Sequence, residues 1–221
     1  KWGDVLVDCP RELDTARQIA EGRALYSEVM SDAGPLAPLL NGLLFRCFGT
    51  HADVMIGAGL VAAALMCLLM YRLARRFVGA GPATAVAAAF LYLCAFAHLT
   101  PNPTFNFVLP YRCTSTYGIV LVAAGLLFLV RYVQDRRKAD LVLSWLFLAL
   151  TGLTKPELLF AIALTHGVFL AASLFTDRAN AKVYLCGYAA VALLVAAVYG
   201  VVYGGTPGAN LQGTKTLNAT S

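Results

Sequence analysis

Long apolar runs separated by short polar segments dominate the chain from residue 53 onward. A transmembrane helix takes about 20 such residues, and a little fewer when neighbouring helices help. Six runs qualify: 53–71, 83–99, 117–133, 141–153, 156–175 and 183–203. The fourth is short, but it lies between a basic loop and a tight turn, as a span would. The pattern predicts an all-α, polytopic membrane protein with about six transmembrane helices.

The first 52 residues follow a different pattern. Over residues 11–29, apolar side chains recur at helical spacing while charged side chains occupy the other face, which predicts an amphipathic helix at the membrane interface. Asp8 lies where such a helix would begin. Gly34 and the proline after it break the chain before a second apolar stretch, 36–48. We therefore expect an interfacial helical segment ahead of the transmembrane bundle.

Basic residues in the short loops predict the topology, because they favour the cytoplasmic side. Loops rich and poor in Lys and Arg alternate along the chain. The rich loops hold Arg72, Arg75 and Arg76, then Arg131, Arg136, Arg137 and Lys138, then Arg178 and Lys182, and the poor ones hold only Arg112 and Lys155. The expected outer, extracytoplasmic parts are residues 1–52, the 100–116 loop, the turn at Lys155 and the polar tail 204–221, with the helix bundle 53–203 between them.

The composition agrees with a membrane protein. Hydrophobic residues make up 59% of the chain and charged residues 13%, whereas soluble domains carry roughly a quarter charged residues. The net charge of +5 does not indicate a nucleic-acid partner, because the basic residues form no continuous patch. The six cysteines include no CxxC pair, so no zinc or redox site is indicated. We expect no metal ligands and no bound cofactor, with a divalent-metal requirement left open.

The two ends of the chain suggest that it is part of a longer protein. It begins without a methionine or an apolar first span, and it ends in a polar tail. We expect an N-terminal helix and a C-terminal portion to lie outside it.

The first segment resembles the first outer loop of GT-C membrane glycosyltransferases. Its sequence is VDCPRELDTARQIAEGRALY, followed by GPLAPLLNGLLFRCFG. The most similar group is the bacterial one containing protein O-mannosyltransferases and lipid A aminoarabinose transferases. That group has an Asp, often Asp-Glu, then an Arg and an amphipathic helix, then a Pro-containing step into an apolar segment ending in Phe-Gly. The corresponding residues here are Asp8, Arg11, Gly34-Pro35 and Phe48-Gly49.

A second motif extends the resemblance over nearly the whole chain, and one residue departs from it. The run GLTKPE, from Gly152 to Glu157, is similar to the Thr-Lys-Gly/Pro turn of the same group. Cys9 follows Asp8 where many relatives have Glu, which leaves Glu12 or Asp14 to supply a second carboxylate. The sequence does not show which of the two would do so.

The resemblance implies inverting transfer of a sugar from a polyprenyl-phosphate donor to an acceptor hydroxyl at the outer face. A carboxylate must take the proton of the attacking hydroxyl, and Asp8 is the candidate base. The departing phosphate needs cations near it. The candidate substrate-binding residues are Arg11, Glu12, Asp14, Arg112, Lys155 and Glu157. The implied partners are the lipid-linked donor, a lipid, glycan or protein acceptor, and the lipids of a bacterial inner or plasma membrane.

Other interpretations stay open at this stage. Asp8 could only cap a helix, and Lys155 could snorkel to the interface and pair with Glu157. Arg17 and Glu21 are spaced as an ordinary surface ion pair, and His166 is expected to make a helix-packing hydrogen bond. The alternative functions are a membrane transporter or lipid flippase, which would place ionisable residues near mid-membrane, and a catalytically inactive scaffold.

Overall fold

The computed structural model describes residues 8–31, 33–96, 107 and 113–204. Within these ranges the chain forms α-helices and no strand. The helices are α1 (Asp8–Ala20), α2 (Leu36–Phe48), α3 (Ala52–Ala74), α4 (Ala80–Phe90), α5 (Cys113–Asp135), α6 (Lys138–Gly152), α7 (Pro156–Thr176) and α8 (Ala181–Gly204). A π-helical turn, Leu91–Ala95, continues α4, and a 3-10 turn, Arg178–Asn180, precedes α8. The predicted all-α membrane class is confirmed.

Four helical segments are long and apolar enough to cross a membrane. They are Ala52–Ala74, Cys113–Asp135, Glu157–Thr176 and Arg178–Tyr203. The runs 83–99 and 141–153, which the sequence also predicts as spans, correspond to shorter helices. Helix α6 has 15 residues, a rise of about 22 Å, against a hydrocarbon core of about 30 Å.

The amphipathic helix of the first segment is shorter than the pattern over 11–29 predicts, because it ends at Ala20. Gly22 has a φ of 95°, a left-handed conformation that glycine adopts without steric cost. The Gly22 N–H donates to Ile19 O at 3.0 Å and the Arg23 N–H to Gln18 O at 3.1 Å. These two bonds form a Schellman motif, which satisfies the last carbonyls of the helix and turns the chain away.

Helix α5 lies at the centre of the bundle, packed against α2, α3, α6 and α7. Two of its glycines allow close approach. A Cβ added at Gly118 would collide with Leu158, and one added at Gly125 would lie 2.7 Å from Ile162 Cδ1. Small residues at such positions let membrane helices pack closely. The position of α5 matters for the site, because its first turn lies beside the docked first segment.

The helix ends form two chemically distinct groups. We define the loop end as residues 8–36, the first turn of α5, the 153–155 turn and the C-terminal end of α8. There, Tyr26 stacks on Tyr203 with ring centroids 4.3 Å apart. We define the arginine end as residues 71–80, 131–140 and 177–182. Ion pairs join its loops at Arg76–Asp135 (2.9 Å), Arg131–Asp140 (3.2 Å) and Arg136–Asp177 (3.6 Å).

The basic-rich loops lie together at the arginine end. This is expected, because loops rich and poor in basic residues alternate along the chain and successive loops lie at opposite ends of the bundle. The side of the membrane that each end faces stays a prediction. The tail beyond Gly204 and most of the 100–116 loop lie outside the described residues.

Candidate active site at the loop end

Main-chain hydrogen bonds attach the first segment to the turn that carries Lys155. The Gly34 N–H donates to Thr154 O at 2.8 Å, and the Leu36 N–H donates to Leu153 O at 2.9 Å. A Cβ added at Gly34 would collide with the carbonyl oxygen of Leu153, so this close approach requires glycine. Two parts of the chain that the resemblance singled out are therefore in direct contact.

Apolar packing holds α1 against α2 and the bundle. Ala16 of α1 is buried with Phe45 of α2, Met55 of α3 and Cys113 of α5. The buried face of α1 is the apolar face that its sequence predicts. Its opposite face carries the exposed charged residues.

A polar contact joins α2 to α5 inside this packing. The Tyr117 hydroxyl donates to Asn41 Oδ1 at 2.8 Å, and Asn41 is only 1% exposed. The Asn41 Nδ2 has no hydrogen-bond partner among the described residues. Neither residue was a predicted site residue. An amide in the middle of the apolar stretch 36–48 was the signal that could have identified Asn41, because buried amides are normally hydrogen-bonded.

Lys155 reaches across to the first turn of α5. It precedes α7 directly, and its Nζ donates to Ser115 Oγ at 3.2 Å. Glu157 is exposed, and no ion pair joins it to Lys155. The alternative of a Lys155–Glu157 pair is therefore wrong. Among the described residues, no carboxylate lies within ion-pair distance of Lys155.

The two carboxylates that could assist Asp8 lie in different surroundings. Asp14 is exposed and accepts hydrogen bonds from Arg17 Nη2 at 2.7 Å and from Gln18 Nε2 at 2.6 Å. The hydrogen bond from Arg17 is the main cause that lowers the pKa of Asp14, and the hydrogen bond from Gln18 is the second. Arg17 also pairs with Glu21 at 2.6 Å, as the surface ion-pair prediction stated. Glu12 is half-buried and lies within electrostatic reach of Tyr117.

Other predicted site residues are placed only in part. Asp8 is the first residue of α1, but its side chain lies outside what the structure describes. Arg112 lies wholly outside the described residues. Arg11 is exposed on α1. In the part of the chain that is described, no three His, Cys, Asp or Glu side chains come together as a metal site would require.

An apolar groove of about 770 Å³ lies between α2, α3 and α5. Leu36, Leu40 and Leu44 form one wall, and Val54, Val61, Val120 and Leu121 are among the residues of the others. Tyr117 and Asp53 also line it. The groove was not predicted, because its walls come from three helices whose relative positions the sequence does not show.

His166 in the middle of the bundle has a packing role. Its Nε2 lies 3.2 Å from Ser144 Oγ, and its Nδ1 lies 2.7 Å from the Tyr188 hydroxyl. These contacts join α6, α7 and α8. The prediction of a helix-packing hydrogen bond is confirmed.

A family model described as dolichyl-phosphate-mannose-protein mannosyltransferase matches residues 32–201. The chain belongs to this family. As a member of the dolichyl-phosphate-mannose-protein mannosyltransferase family, it is a multi-pass membrane glycosyltransferase that uses a lipid-linked sugar donor. No curated protein and no solved structure matches the chain. The family match covers α2 to α7, the Lys155 turn and α8 as far as residue 201, whereas Asp8, Arg11, Glu12 and Asp14 precede it.

Proposed function

We propose that the protein transfers a sugar, with inversion, from a polyprenyl-phosphate donor to an acceptor hydroxyl at the outer face of a bacterial inner or plasma membrane. The acceptor oxygen attacks the anomeric carbon as the bond from that carbon to the phosphate oxygen breaks. Asp8 takes the proton of the hydroxyl, because a neutral hydroxyl is a poor nucleophile. The acceptor is a lipid, a glycan or a protein.

The observation that carries the proposal is the position of Lys155. Its ammonium group lies against Ser115 in the first turn of α5 and has no carboxylate partner among the described residues. The N-terminal end of a helix favours anions. A lysine held beside such an end, with no carboxylate partner in the part of the chain that the structure describes, suits the phosphate that leaves the sugar. Arg11 and Arg112 supply further positive charge in the proposal.

The apolar groove supports a lipid-linked donor. Its walls are almost wholly aliphatic, and Tyr117, which borders it, is two residues beyond Ser115 on α5. An isoprenoid tail in the groove would bring its phosphate to the first turn of α5. Apolar grooves with a few polar groups at one end are typical of such ligands.

Glu12 is the better candidate for the second carboxylate in this proposal. Glu12 is half-buried and within electrostatic reach of Tyr117 of α5, whereas Asp14 lies exposed on α1. Glu157, exposed in the first turn of α7, contacts the acceptor or the sugar.

The runner-up function, a transporter or flippase, would place ionisable residues near mid-membrane. His166 lies there, but its two ring nitrogens are engaged with Ser144 and Tyr188 in helix packing.

Asp8→Asn tests the base. Asn caps helices about as well as Asp, so folding and membrane insertion should stay near normal. Loss of a general base costs about 10²- to 10⁴-fold in rate. The assay is sugar transfer from a polyprenyl-phosphate donor by the complete purified protein, at equal folded amounts.

Asp14→Asn is the matched control and should retain activity. If Asp14→Asn loses activity while Asp8→Asn keeps it, the base has been misassigned. If both variants stay active, the proposed mechanism is wrong.

Lys155 variants test the phosphate contact separately. Lys155→Ala should raise the KM for the donor and lower kcat, because both the bound donor and the departing phosphate carry negative charge. Lys155→Arg should recover part of the loss, since the charge survives with altered geometry. Equal activity in Lys155→Ala and the wild-type protein would remove Lys155 from the site.

A further inference from the structure

We propose that the arginine end holds an anionic phospholipid, with its phosphate among four arginines and an acyl chain in the groove between α3 and α4. This site lies at the opposite end of the bundle from the candidate active site. It does not depend on the proposed function.

The headgroup site is a basic cavity of about 260 Å³ between α3 and α5. Its lining is Tyr71, Arg72, Arg75, Arg76, Leu127 and Arg131. Four of these six side chains are guanidinium groups, which match phosphate oxygens with two parallel hydrogen bonds. The cavity is therefore suited to a phosphate group.

Among the residues that the structure describes, carboxylates pair with two of the four arginines. Asp135 pairs with Arg76 at 2.9 Å, and Asp140 pairs with Arg131 at 3.2 Å. Among the described residues, the guanidinium of Arg75 donates to the main-chain oxygen of Val78 and to no carboxylate, and that of Arg72 forms no hydrogen bond or ion pair. Arg72 and Arg75 thus leave two uncompensated positive charges at the cavity. The Nε of Arg131 is buried and has no described hydrogen-bond partner.

An apolar groove of about 570 Å³ adjoins the cavity. It runs along α3 and α4, with Leu60, Ala64, Leu68 and Leu91 among its lining residues, and it reaches Tyr71. Tyr71 therefore borders both the groove and the basic cavity. From Leu60 to Tyr71 the groove follows α3 for about 16 Å, at 1.5 Å per residue.

The combination identifies the occupant by its chemistry. A free phosphate would use the arginines and leave the groove empty, and an apolar helix would use the groove and leave the arginines uncompensated. A phospholipid supplies a phosphate and an acyl chain on one molecule. A negatively charged headgroup balances the excess charge, as basic pockets between transmembrane helices do for anionic lipids.

Native mass spectrometry of the complete, delipidated protein tests the proposal. The probes are phosphatidylglycerol and phosphatidylcholine with identical acyl chains. Phosphatidylglycerol should bind more tightly. The double variant R72Q/R75Q should weaken its binding by about thirtyfold, because each basic residue contributes about fivefold. R72K/R75K should restore part of the binding, because the charge survives without the paired hydrogen bonds of a guanidinium. That recovery would show that the loss in R72Q/R75Q is not a folding defect.

A matched pair of variants separates a built site from diffuse surface charge. R137Q/R178Q removes two charges from the same end but outside the cavity, and it should leave phosphatidylglycerol binding unchanged. Equal weakening by R137Q/R178Q and R72Q/R75Q would overturn the proposal, as would equal binding of the two phospholipids by the wild-type protein.

The groove is tested by A64W, which fills it from an exposed position on α3. The variant should weaken phosphatidylglycerol binding, and inorganic phosphate should fail to displace the lipid from the wild-type protein. If inorganic phosphate displaces it at equal concentration, or if A64W binds phosphatidylglycerol normally, the site is not a lipid site.

Discussion

The loop end and the arginine end of the bundle use polar groups in opposite ways. At the loop end, neutral main-chain bonds from Gly34 and Leu36 and apolar packing around Ala16 hold the structure together. Lys155 is left without a carboxylate partner among the described residues. At the arginine end, three ion pairs tie the loops together.

The difference teaches how to separate structural charges from functional ones in this protein. A charge that the protein balances is part of the structure, whereas a charge held in place without a counter-charge is available to a ligand. Lys155 meets this criterion at one end, and at the other Arg72 and Arg75 meet it and also line a cavity.

The largest effect on stability is expected from Asp140→Asn at the arginine end. The Asp140 side chain is only 4% exposed beside Arg131, so the substitution leaves a largely buried guanidinium without its counter-charge. Such a loss costs about 3 kcal/mol. The measurement is the free energy of unfolding in mixed detergent micelles.

Asp135→Asn is the control, because both partners of the Arg76–Asp135 pair are about a third exposed. It should cost less than about 1 kcal/mol. If the two substitutions cost the same, ion pairing does not organise the arginine end.

The next effect is expected from Gly34→Ala at the loop end. The added Cβ collides with the Leu153 carbonyl oxygen, and relieving the collision breaks the main-chain bonds to the 153–154 turn. Overpacking of this kind costs about 1–3 kcal/mol. Protease should also cut residues 21–33 faster. Gly57→Ala is the control, because nothing lies within 4 Å of a Cβ added there, and faster cutting in both variants would refute the docking argument.

A smaller effect is expected from Tyr117→Phe. The change removes the hydrogen bond to the buried Asn41, whose amide nitrogen already has no described partner. Leaving a buried polar group unsatisfied costs about 1–3 kcal/mol. Tyr92→Phe is the control, since Tyr92 is 87% exposed. Equal unfolding free energies for Tyr117→Phe and the wild-type protein would show that the bond does not hold α2 on α5.

The smallest effect concerns pH and the surface pair at Asp14. Its pKa in the folded protein lies below the ordinary value of 3.8, because Arg17 and Gln18 donate hydrogen bonds to it. A carboxyl group whose pKa is lowered by folding stabilises the folded state when the pH is above the pKa of the unfolded protein. This stabilisation is lost as the pH falls through the lower pKa of the folded protein. The stability difference between wild type and Asp14→Asn should therefore be small at pH 7, begin to fall near pH 3.8 and vanish only below the folded pKa of Asp14. A difference that grows on acidification would contradict the assignment.

Most of the fold could be predicted from the sequence, because apolar runs and basic loops are local signals. The stretch 36–48 coincides with α2, and the basic-rich loops that hold Arg76 and Arg136 lie at one end of the bundle, as their alternation predicts. The C-terminal end of α1 was missed, because apolar periodicity continues past Gly22 although the backbone turns there.

The site could be predicted only in part, because its contacts are long-range. The turn at Lys155 was recognisable as a motif, but Ser115 precedes it by about 40 residues and carried no signal of its own. Asn41 and the two grooves depend on which helices are neighbours. Helix adjacency is set by the packing of glycines such as Gly118 and Gly125, and the hydrophobic pattern of a single helix does not record it.

The main-chain bonds from Gly34 and Leu36 have a consequence for biosynthesis. Their acceptors, Thr154 and Leu153, are made about 120 residues later. At about 5–20 residues per second, the ribosome needs about 6 to 24 s to reach them. During that interval the first segment has left the ribosome, but the turn on which it docks has not been synthesised. Assembly of the loop end is therefore a late event that follows insertion of α3 and α5. Until the turn is made, the apolar face of α1 has to be kept from aggregating.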